Sequence, residues 1–285
     1  MMLVADSGST KTDWRLVDKQ GRVEQFKSAG INPVFHTAED IERSLREELV
    51  PLLTELKPAS ITTIHFYGAG CAGEEKKGRV ANALRSVFPS ADCIVEHDLL
   101  AAARALCGRQ AGIACILGTG SNSCYYDGQH ILQNTPSLGF IVGDEGSGAH
   151  LGKQVVNRYF YKELPDHLNA AFEAMYQLSR EQMLERVYRT PNANRYLASF
   201  VPFLYAHKND SFVVDLVFQS FTSFLKHQVL PYAGQPTMRL HSTGSVGFYF
   251  LDILKHACTK QGLSIGTVTE SPIAGLLLYH REGLK

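Results

Sequence analysis

The sequence lacks any long hydrophobic run and any excess of charge of one sign. Nowhere do about 18 apolar residues follow one another, so no membrane-spanning helix is expected. Lysine and arginine together number 28, as do aspartate and glutamate. No net field therefore draws the chain to nucleic acid or to an anionic membrane. Small-molecule ligands are the expected partners.

Metal-binding and export signals are missing as well. The six cysteines include no Cys-x-x-Cys pair, and the eleven histidines form no His-Glu-x-x-His pattern. Buried, reduced thiols are therefore expected. The N-terminus has neither a basic start nor a long apolar region, which predicts a cytoplasmic protein. Lys11 does not complete a Walker A motif, because no glycine stands at the required spacing before it.

What the sequence does contain is three short glycine loops, each following an apolar run typical of a strand. They are Asp6-Ser7-Gly8-Ser9-Thr10, Gly118-Thr119-Gly120-Ser121 and Thr243-Gly244-Ser245. Backbone N–H groups bared by glycine, with hydroxyls beside them, form cradles that approach phosphate oxygens closely. One nucleotide needs several such loops only if it lies in a cleft between two halves. The pattern predicts that the three loops together hold an ATP tail.

Strand-like and helix-like segments alternate, and the strand–loop–strand pattern of the N-terminus restarts at Ile113. With 285 residues, 45% of them hydrophobic, the chain can form two domains. We expect two α/β halves, residues 1–110 and 111–285, with a helical insertion in the second at about 150–232. The main predicted strands are residues 3–5, 12–17, 61–67, 93–96, 113–117, 123–126, 238–242 and 264–269, and the clearest helices are 74–88 and 99–107.

Three aspartates lie where chemistry is expected. Asp6 ends a strand at the first loop, where it either forms a turn or holds Mg²⁺, usually through water. Asp98 begins an alanine-rich helix, where it is expected as the N-cap, as a general base within reach of a substrate hydroxyl, or as both, since the two roles are compatible. Asp144 lies in Gly143-Asp144-Glu145-Gly146-Ser147-Gly148, where an acid complements a helix dipole. The dense glycine there favours a ligand site.

A competing motif is Gly68-Ala69-Gly70-Cys71-Ala72-Gly73, which matches the dinucleotide fingerprint. It follows a predicted strand and precedes a helix, and Glu96 ends the next strand, as a ribose-binding acid would. This interpretation predicts a nicotinamide-dependent dehydrogenase. It leaves the three other glycine loops unexplained.

Taken together, the motifs resemble the N-acetylglucosamine kinase group of the BadF/BadG/BcrA/BcrD ATPase family, in the actin-like ATPase and sugar kinase superfamily. The three loops resemble the two phosphate loops and the adenosine loop, and the 143–148 run is the most specific match. The resemblance implies two RNase H-like domains flanking a nucleotide cleft. It also implies transfer of the γ-phosphoryl group of ATP, with Mg²⁺, to a hydroxyl of N-acetylglucosamine or a related amino sugar such as N-acetylmuramic acid.

The resemblance also implies roles for particular residues. Asp98 resembles the catalytic base, Asp6 is expected at the metal, and the last helix, following Ser271, resembles one that returns to the first domain. A homodimer is one assembly consistent with the family. The implied sugar contacts are Asn32, Asp98, Gly139 and Asp144, and the implied nucleotide contacts are Ser9, Thr10, Lys11, Gly118, Thr119, Gly120, Ser121, Gly244 and Ser245.

Two features qualify the resemblance. Family kinases often carry tryptophan just before the glycine that corresponds to Gly139, whereas Leu138 stands here. Other relatives are ATPase activators of radical enzymes, which bind an iron–sulfur cluster between subunits and have no sugar substrate. Cys124, just after the second loop, keeps that alternative open, although the loop itself is kinase-like and not the activators' Gly-Gly-Gln-Asp.

Overall fold

The computed structural model describes residues 1–8, 10–53 and 58–282. Their contacts divide the chain into two compact units. The first unit comprises Met1–Gly108 and Pro272–Lys285, and the second comprises Arg109–Ser271. Within the described ranges, no helix has the length and apolar character needed to cross a membrane.

Ten strands and thirteen α-helices are described. The strands are β1 Met2–Ser7, β2 Lys11–Val17, β3 Val23–Ala29, β4 Thr63–Gly68, β5 Asp92–His97, β6 Gly112–Leu117, β7 Ser121–Tyr126, β8 Ile131–Gln133, β9 Arg239–Thr243 and β10 Ser264–Thr269. The helices are α1 Ala38–Ser44, α2 Glu74–Val87, α3 Asp98–Cys107, α4 Gly139–Val142, α5 Gly148–Phe160, α6 Asp166–Tyr176, α7 Arg180–Tyr188, α8 Ala193–Ala198, α9 Val201–Ala206, α10 Ser211–Phe224, α11 Ser245–Tyr249, α12 Leu251–Lys260 and α13 Ile273–Glu282.

The first unit is built on a five-stranded mixed sheet of order β3-β2-β1-β4-β5. β1 pairs antiparallel with β2 and parallel with β4, which in turn pairs parallel with β5. Trp14 of β2 is fully buried and packs against Phe66 of β4, with 6.0 Å between ring centroids. Helix α13 packs on α3 within the same unit. The sheet thereby holds the first glycine loop and the start of α3.

The helical segment after β3 is broken where its sequence requires it. Thr37 and Asp40 form a capping box at the start of α1. The chain then passes into a π turn at Leu45–Leu49 and a 3₁₀ turn at Val50–Leu52. Pro51 explains the change, because proline donates no N–H and its ring clashes with the carbonyl one turn earlier.

The second unit repeats the strand order of the first. Its sheet has the order β10-β9-β6-β7-β8, in which β6 pairs antiparallel with β7 and parallel with β9. If the strands of each unit are numbered from one to five in chain order, the first sheet has the spatial order 3-2-1-4-5 and the second has the same order in reverse, 5-4-1-2-3. The first and second glycine loops therefore occupy the same topological place, between the first two strands of a sheet. Helices α4 to α10 lie between β8 and β9 in the chain.

The α/β fold class is confirmed, and the strands that the sequence does not reveal lie at sheet edges. β3 was not predicted because most of its side chains are exposed, so no apolar alternation marks it. β8 has three residues and none of them is buried. The other eight strands lie within two residues of their expected bounds at each end.

Candidate active site

Asp6 lies on β1 directly opposite Asp13 on β2. The hairpin between them is closed by the Gly8 N–H, which donates to the Lys11 carbonyl oxygen at 3.0 Å. The Lys11 ammonium lies 3.2 Å from Asp13 Oδ2 and is largely exposed. Thr10 is exposed at the turn, and Ser9 lies outside the described residues. Asp13 was not predicted as a site residue, although it lies on the second predicted strand, which pairs with the strand that carries Asp6.

The negative charge of Asp98 acts on the carboxyl group of Asp6. Burial, followed by the negative charges of Asp98 and Asp13, raises the pKa of Asp6 to about 7, with Lys11 acting in the opposite direction. Burial likewise raises the pKa of Asp98 to about 6, although backbone N–H groups at the start of α3 stabilise its carboxylate. The predicted base and the predicted metal ligand therefore belong to one acidic cluster within the first unit.

The acidic cluster contains the kind of ligand that Mg²⁺ prefers, but among the described residues it does not enclose an ion. Asp6 offers hard carboxylate oxygens, and the negative charges of Asp98 and Asp13 nearby would be relieved by a bound cation. Across residues 1–8, 10–53 and 58–282, no three His, Cys, Asp or Glu side chains are grouped closely enough to enclose a metal ion. A few carboxylates with water completing the shell are typical of Mg²⁺ sites.

The N-cap of α3 is His97, so the alternative that Asp98 serves as the cap is wrong. His97 has extended backbone dihedrals, and its Nδ1 accepts a hydrogen bond from the Leu100 N–H at 3.3 Å. Burial lowers the pKa of His97, which keeps the ring neutral and able to accept. Asp98 is the first residue of the helix itself. Its carboxylate is therefore not the group that caps Leu100.

Asn32 is buried in a tight turn of the first unit. Its Oδ1 accepts from the Val34 N–H at 3.0 Å, and its backbone oxygen accepts from the Phe35 and His36 N–H groups, each at 3.0 Å. Among the described residues, Asn32 Nδ2 has no hydrogen-bond partner, so this donor is available to a ligand.

The same turn explains the dinucleotide-like motif. Gly70 has a φ of 80°, and a Cβ there would collide with Asn32 Oδ1. Packing against Asn32 therefore accounts for this glycine without a pyrophosphate. Glu96, the expected ribose acid, is instead ion-paired with Lys77 at 2.6 Å. The dehydrogenase interpretation loses both of its supports.

In the second unit, the loop between β6 and β7 is hydrogen-bonded to the start of α5. The Gly148 N–H donates to the Gly118 oxygen at 2.8 Å, and the Ala149 N–H donates to the Thr119 oxygen at 3.0 Å. Gly118 and Thr119 remain half-buried. The backbone of this loop is therefore fixed, as a preformed anion cradle requires.

Asp144 lies against this loop. Ser137 Oγ donates to Asp144 Oδ1 at 3.2 Å, and a Cβ on Gly120 would come within 3.1 Å of Asp144 Oδ2. Burial raises the pKa of Asp144, while a hydrogen bond from the Ser121 backbone opposes that shift. The Ser121 hydroxyl donates to the Glu145 oxygen at 2.7 Å. The structure thus brings together the predicted site residues Gly120, Ser121 and Asp144. It adds Ser137, which nothing in the sequence pattern indicated.

The third glycine loop packs onto the second. Gly244 has a φ of 116°, and a Cβ there would collide with the Leu117 carbonyl and lie 2.9 Å from the Gly118 nitrogen. Ser245 follows as the exposed first residue of α11.

Gly139 begins α4, and its oxygen accepts from the Gly143 N–H at 2.8 Å, beside Asp144. Leu138, which stands where relatives often have tryptophan, is 62% exposed.

Cys124 is fully buried on β7. A cysteine that binds a cluster shared between subunits must reach the protein surface. The burial of Cys124 therefore counts against the iron–sulfur activator alternative.

Gly118 allows a direct test of the phosphate cradle. A Cβ added there would meet no atom within 4 Å, so Gly118→Ala should fold normally. If a phosphate approaches the Gly118 backbone, the added methyl displaces it and weakens charge-assisted hydrogen bonds by about 1.5–3 kcal/mol. We expect an ATP dissociation constant about ten- to a hundredfold higher by calorimetry. Gly78→Ala, also into open space but in α2, is the matched control. Equal ATP affinity in both variants would contradict the cradle.

Comparison with known proteins supports these features. The model of the BadF/BadG/BcrA/BcrD ATPase family matches residues 5–211. One similar crystal structure is that of a candidate N-acetylglucosamine kinase from Porphyromonas gingivalis, which is 44% identical in sequence. The two structures match with a TM-score of 0.94 over 100% of both chains. A Chromobacterium violaceum protein of the same description is 20% identical with a TM-score of 0.76 over 98% of both chains, which shows the fold alone.

A curated relative is the N-acetylmuramic acid/N-acetylglucosamine kinase of Clostridium acetobutylicum. It is 28% identical over 155 residues, which is 53% of this chain and 50% of that protein. The match therefore spans about half the length of that relative.

Two α/β units of one strand order, with glycine loops at equivalent places, define the class of duplicated α/β ATPases. The chain belongs to the BadF/BadG/BcrA/BcrD ATPase family. The resemblance stated from its motifs is confirmed.

Proposed function

We propose that the protein is an ATP-dependent sugar kinase that transfers the γ-phosphoryl group to a hydroxyl of N-acetylglucosamine or a related amino sugar such as N-acetylmuramic acid. The observation that carries the proposal is the acidic cluster of the first unit. There Asp98 begins α3 with a pKa near 6, beside Asp6 at the first glycine loop. The names of the relatives point to the same chemistry.

In this proposal Asp98 accepts the proton of the attacking hydroxyl. Phosphoryl transfer depends mainly on positioning and charge stabilisation, and a carboxylate with a pKa close to the working pH is an effective base. Asp6 would hold Mg²⁺ through water, and the ion would supply charge neutralisation at the phosphates. Thr10, Lys11 and the loop Gly118 to Ser121 would contact the phosphates, and Gly244 and Ser245 the adenosine. Within that loop the N–H groups of Thr119 and Gly120 would be the donors, because the Gly118 N–H is bonded to the Gly120 oxygen and the Ser121 N–H to Asp144.

Asn32, Asp144 and Gly139 are the proposed sugar contacts. Asn32→Ala removes the Nδ2 donor and leaves a polar group of the bound sugar unpaired, at a cost of about 1–3 kcal/mol. We expect a sugar KM about ten- to a hundredfold higher, with a smaller change in kcat. An unchanged KM for every sugar tested would remove Asn32 from the site. The ATP KM serves as the internal control.

The function is tested by measuring ADP formation with a panel of sugars. The proposal expects ADP only with acetylated amino sugars, from colourless and iron-free protein. Iron in anaerobically purified protein, together with ATP hydrolysis that no sugar changes, would instead establish an activator ATPase. ADP with unmodified hexoses alone would retain the kinase but overturn the amino-sugar assignment.

A further inference from the structure

Two fully buried hydroxyl groups lie beneath the first glycine loop. Ser7 ends β1, Thr12 lies near the start of β2, and neither side chain is exposed. Ser7 Oγ and Thr12 Oγ1 are 2.7 Å apart. We call Ser7 and Thr12 the hydroxyl pair. A buried hydroxyl without partners is costly, so the bonds of this pair indicate what it holds.

The bonds of the hydroxyl pair form a directed chain. The Ile31 N–H donates to Ser7 Oγ at 2.9 Å, and Thr12 Oγ1 donates to the Ala29 oxygen at 2.9 Å. Because the single Thr12 proton is used at Ala29, the Ser7 proton goes to Thr12 Oγ1, its nearest acceptor. The Ile31 oxygen, 3.1 Å from Ser7 Oγ, is the alternative acceptor of the same proton. Hydrogen bonds that run in one direction strengthen one another.

This series of hydrogen bonds begins and ends on the segment that leads into Asn32. Ala29 and Ile31 are its two ends, and Gly30 between them donates to the Thr10 oxygen at 3.2 Å. Three consecutive residues before Asn32 are thus attached to the loop that carries Thr10. The Ser7 backbone oxygen also accepts from the Ala69 N–H at 2.9 Å, at the turn whose Gly70 packs on Asn32.

We propose that Ser7 and Thr12 are positioning residues that set the place of Asn32 relative to the first phosphate loop, so that nucleotide bound at the loop orders the sugar-binding turn. The proposal deepens the kinase function given above and rests on it. Neither residue touches substrate in this account. Both act through Ala29, Gly30 and Ile31 on Asn32.

Kinetics of matched variants test the proposal. Ser7→Ala and Thr12→Val remove a member of the pair, whereas Thr12→Ser keeps the hydroxyl. We expect the sugar KM to rise about tenfold in the first two, with kcat changed less than about threefold, and to stay near wild type in Thr12→Ser. In the double variant with Asn32→Ala, the sugar KM should equal that of Asn32→Ala alone, because both changes act at one contact.

A control variant must show that loss of stability alone does not raise the sugar KM. Ser123 of β7 is also fully buried, and its Oγ donates to the Gln228 oxygen at 2.6 Å and lies 2.8 Å from the Tyr232 hydroxyl oxygen. Ser123→Ala removes a comparable buried hydroxyl in the second unit, and it should lower the melting temperature without raising the sugar KM. A similar KM rise in Ser123→Ala, a KM within twofold of wild type in Ser7→Ala, or additive effects with Asn32→Ala would overturn the proposal.

Hydrogen–deuterium exchange separates this inference from the kinase assignment. A non-hydrolysable ATP analogue should slow exchange in peptides covering residues 29–36 of wild type and Thr12→Ser, but not of Ser7→Ala or Thr12→Val. If wild type forms no sugar-dependent ADP, the proposed function fails and exchange alone decides the role of the pair. Equal slowing in all four proteins would refute it.

Discussion

Replacing Asp98 by asparagine should lower kcat by about a hundredfold or more while the sugar KM changes little. Asparagine keeps the size of the side chain but cannot accept the hydroxyl proton, and general base catalysis contributes about 10²–10⁴-fold. Steady-state ADP formation with N-acetylglucosamine would measure the effect. Turnover close to wild type would leave Asp98 with only a structural role at the start of α3.

Two properties of the Asp98 carboxyl distinguish loss of the base from loss of the fold. Burial raises its pKa from 3.8 to about 6, so its ionisation opposes folding. Stability associated with this group is full below pH 3.8 and is lost as the pH rises through 6. Asp98→Asn should therefore be no less stable than wild type at pH 8. Wild-type kcat/KM should fall as the pH decreases through about 6, where the base becomes protonated.

The fold was predictable where buried apolar residues mark the strands. β1, β6 and β9 are largely buried and were expected within two residues of their observed bounds. β3 was not, because it is an exposed edge strand held by its pairing with β2. Edge strands depend on tertiary pairing, which a one-dimensional pattern does not contain.

The sequence predicted which loops form the candidate site, but not the hydrogen bonds within it. The glycine loops and Asp144 stood out because glycine and acid side chains cluster there in sequence. That His97 caps α3 depends on the extended dihedrals of one residue. That the Ser121 hydroxyl donates to the Glu145 oxygen depends on how two distant segments pack. Neither fact is encoded in local composition.

The second large effect is expected at Asp6, whose replacement by asparagine should raise the Mg²⁺ concentration needed for half-maximal activity by about tenfold or more. Asp6 is the predicted ligand, and asparagine replaces its charged carboxylate by a neutral amide whose single oxygen is a weaker ligand for Mg²⁺. A weakening of about 1.4 kcal/mol or more corresponds to that shift. Activity titrated with Mg²⁺ at fixed ATP would measure it, and the sugar dissociation constant should stay unchanged.

Asp13→Asn is the matched control for Asp6→Asn, because it removes one negative charge from the same acidic cluster at the position paired with Lys11. If Asp6 acts as a ligand, Asp13→Asn should shift the Mg²⁺ curve far less than Asp6→Asn does. If the cluster attracts Mg²⁺ through its summed charge alone, the two curves should move together.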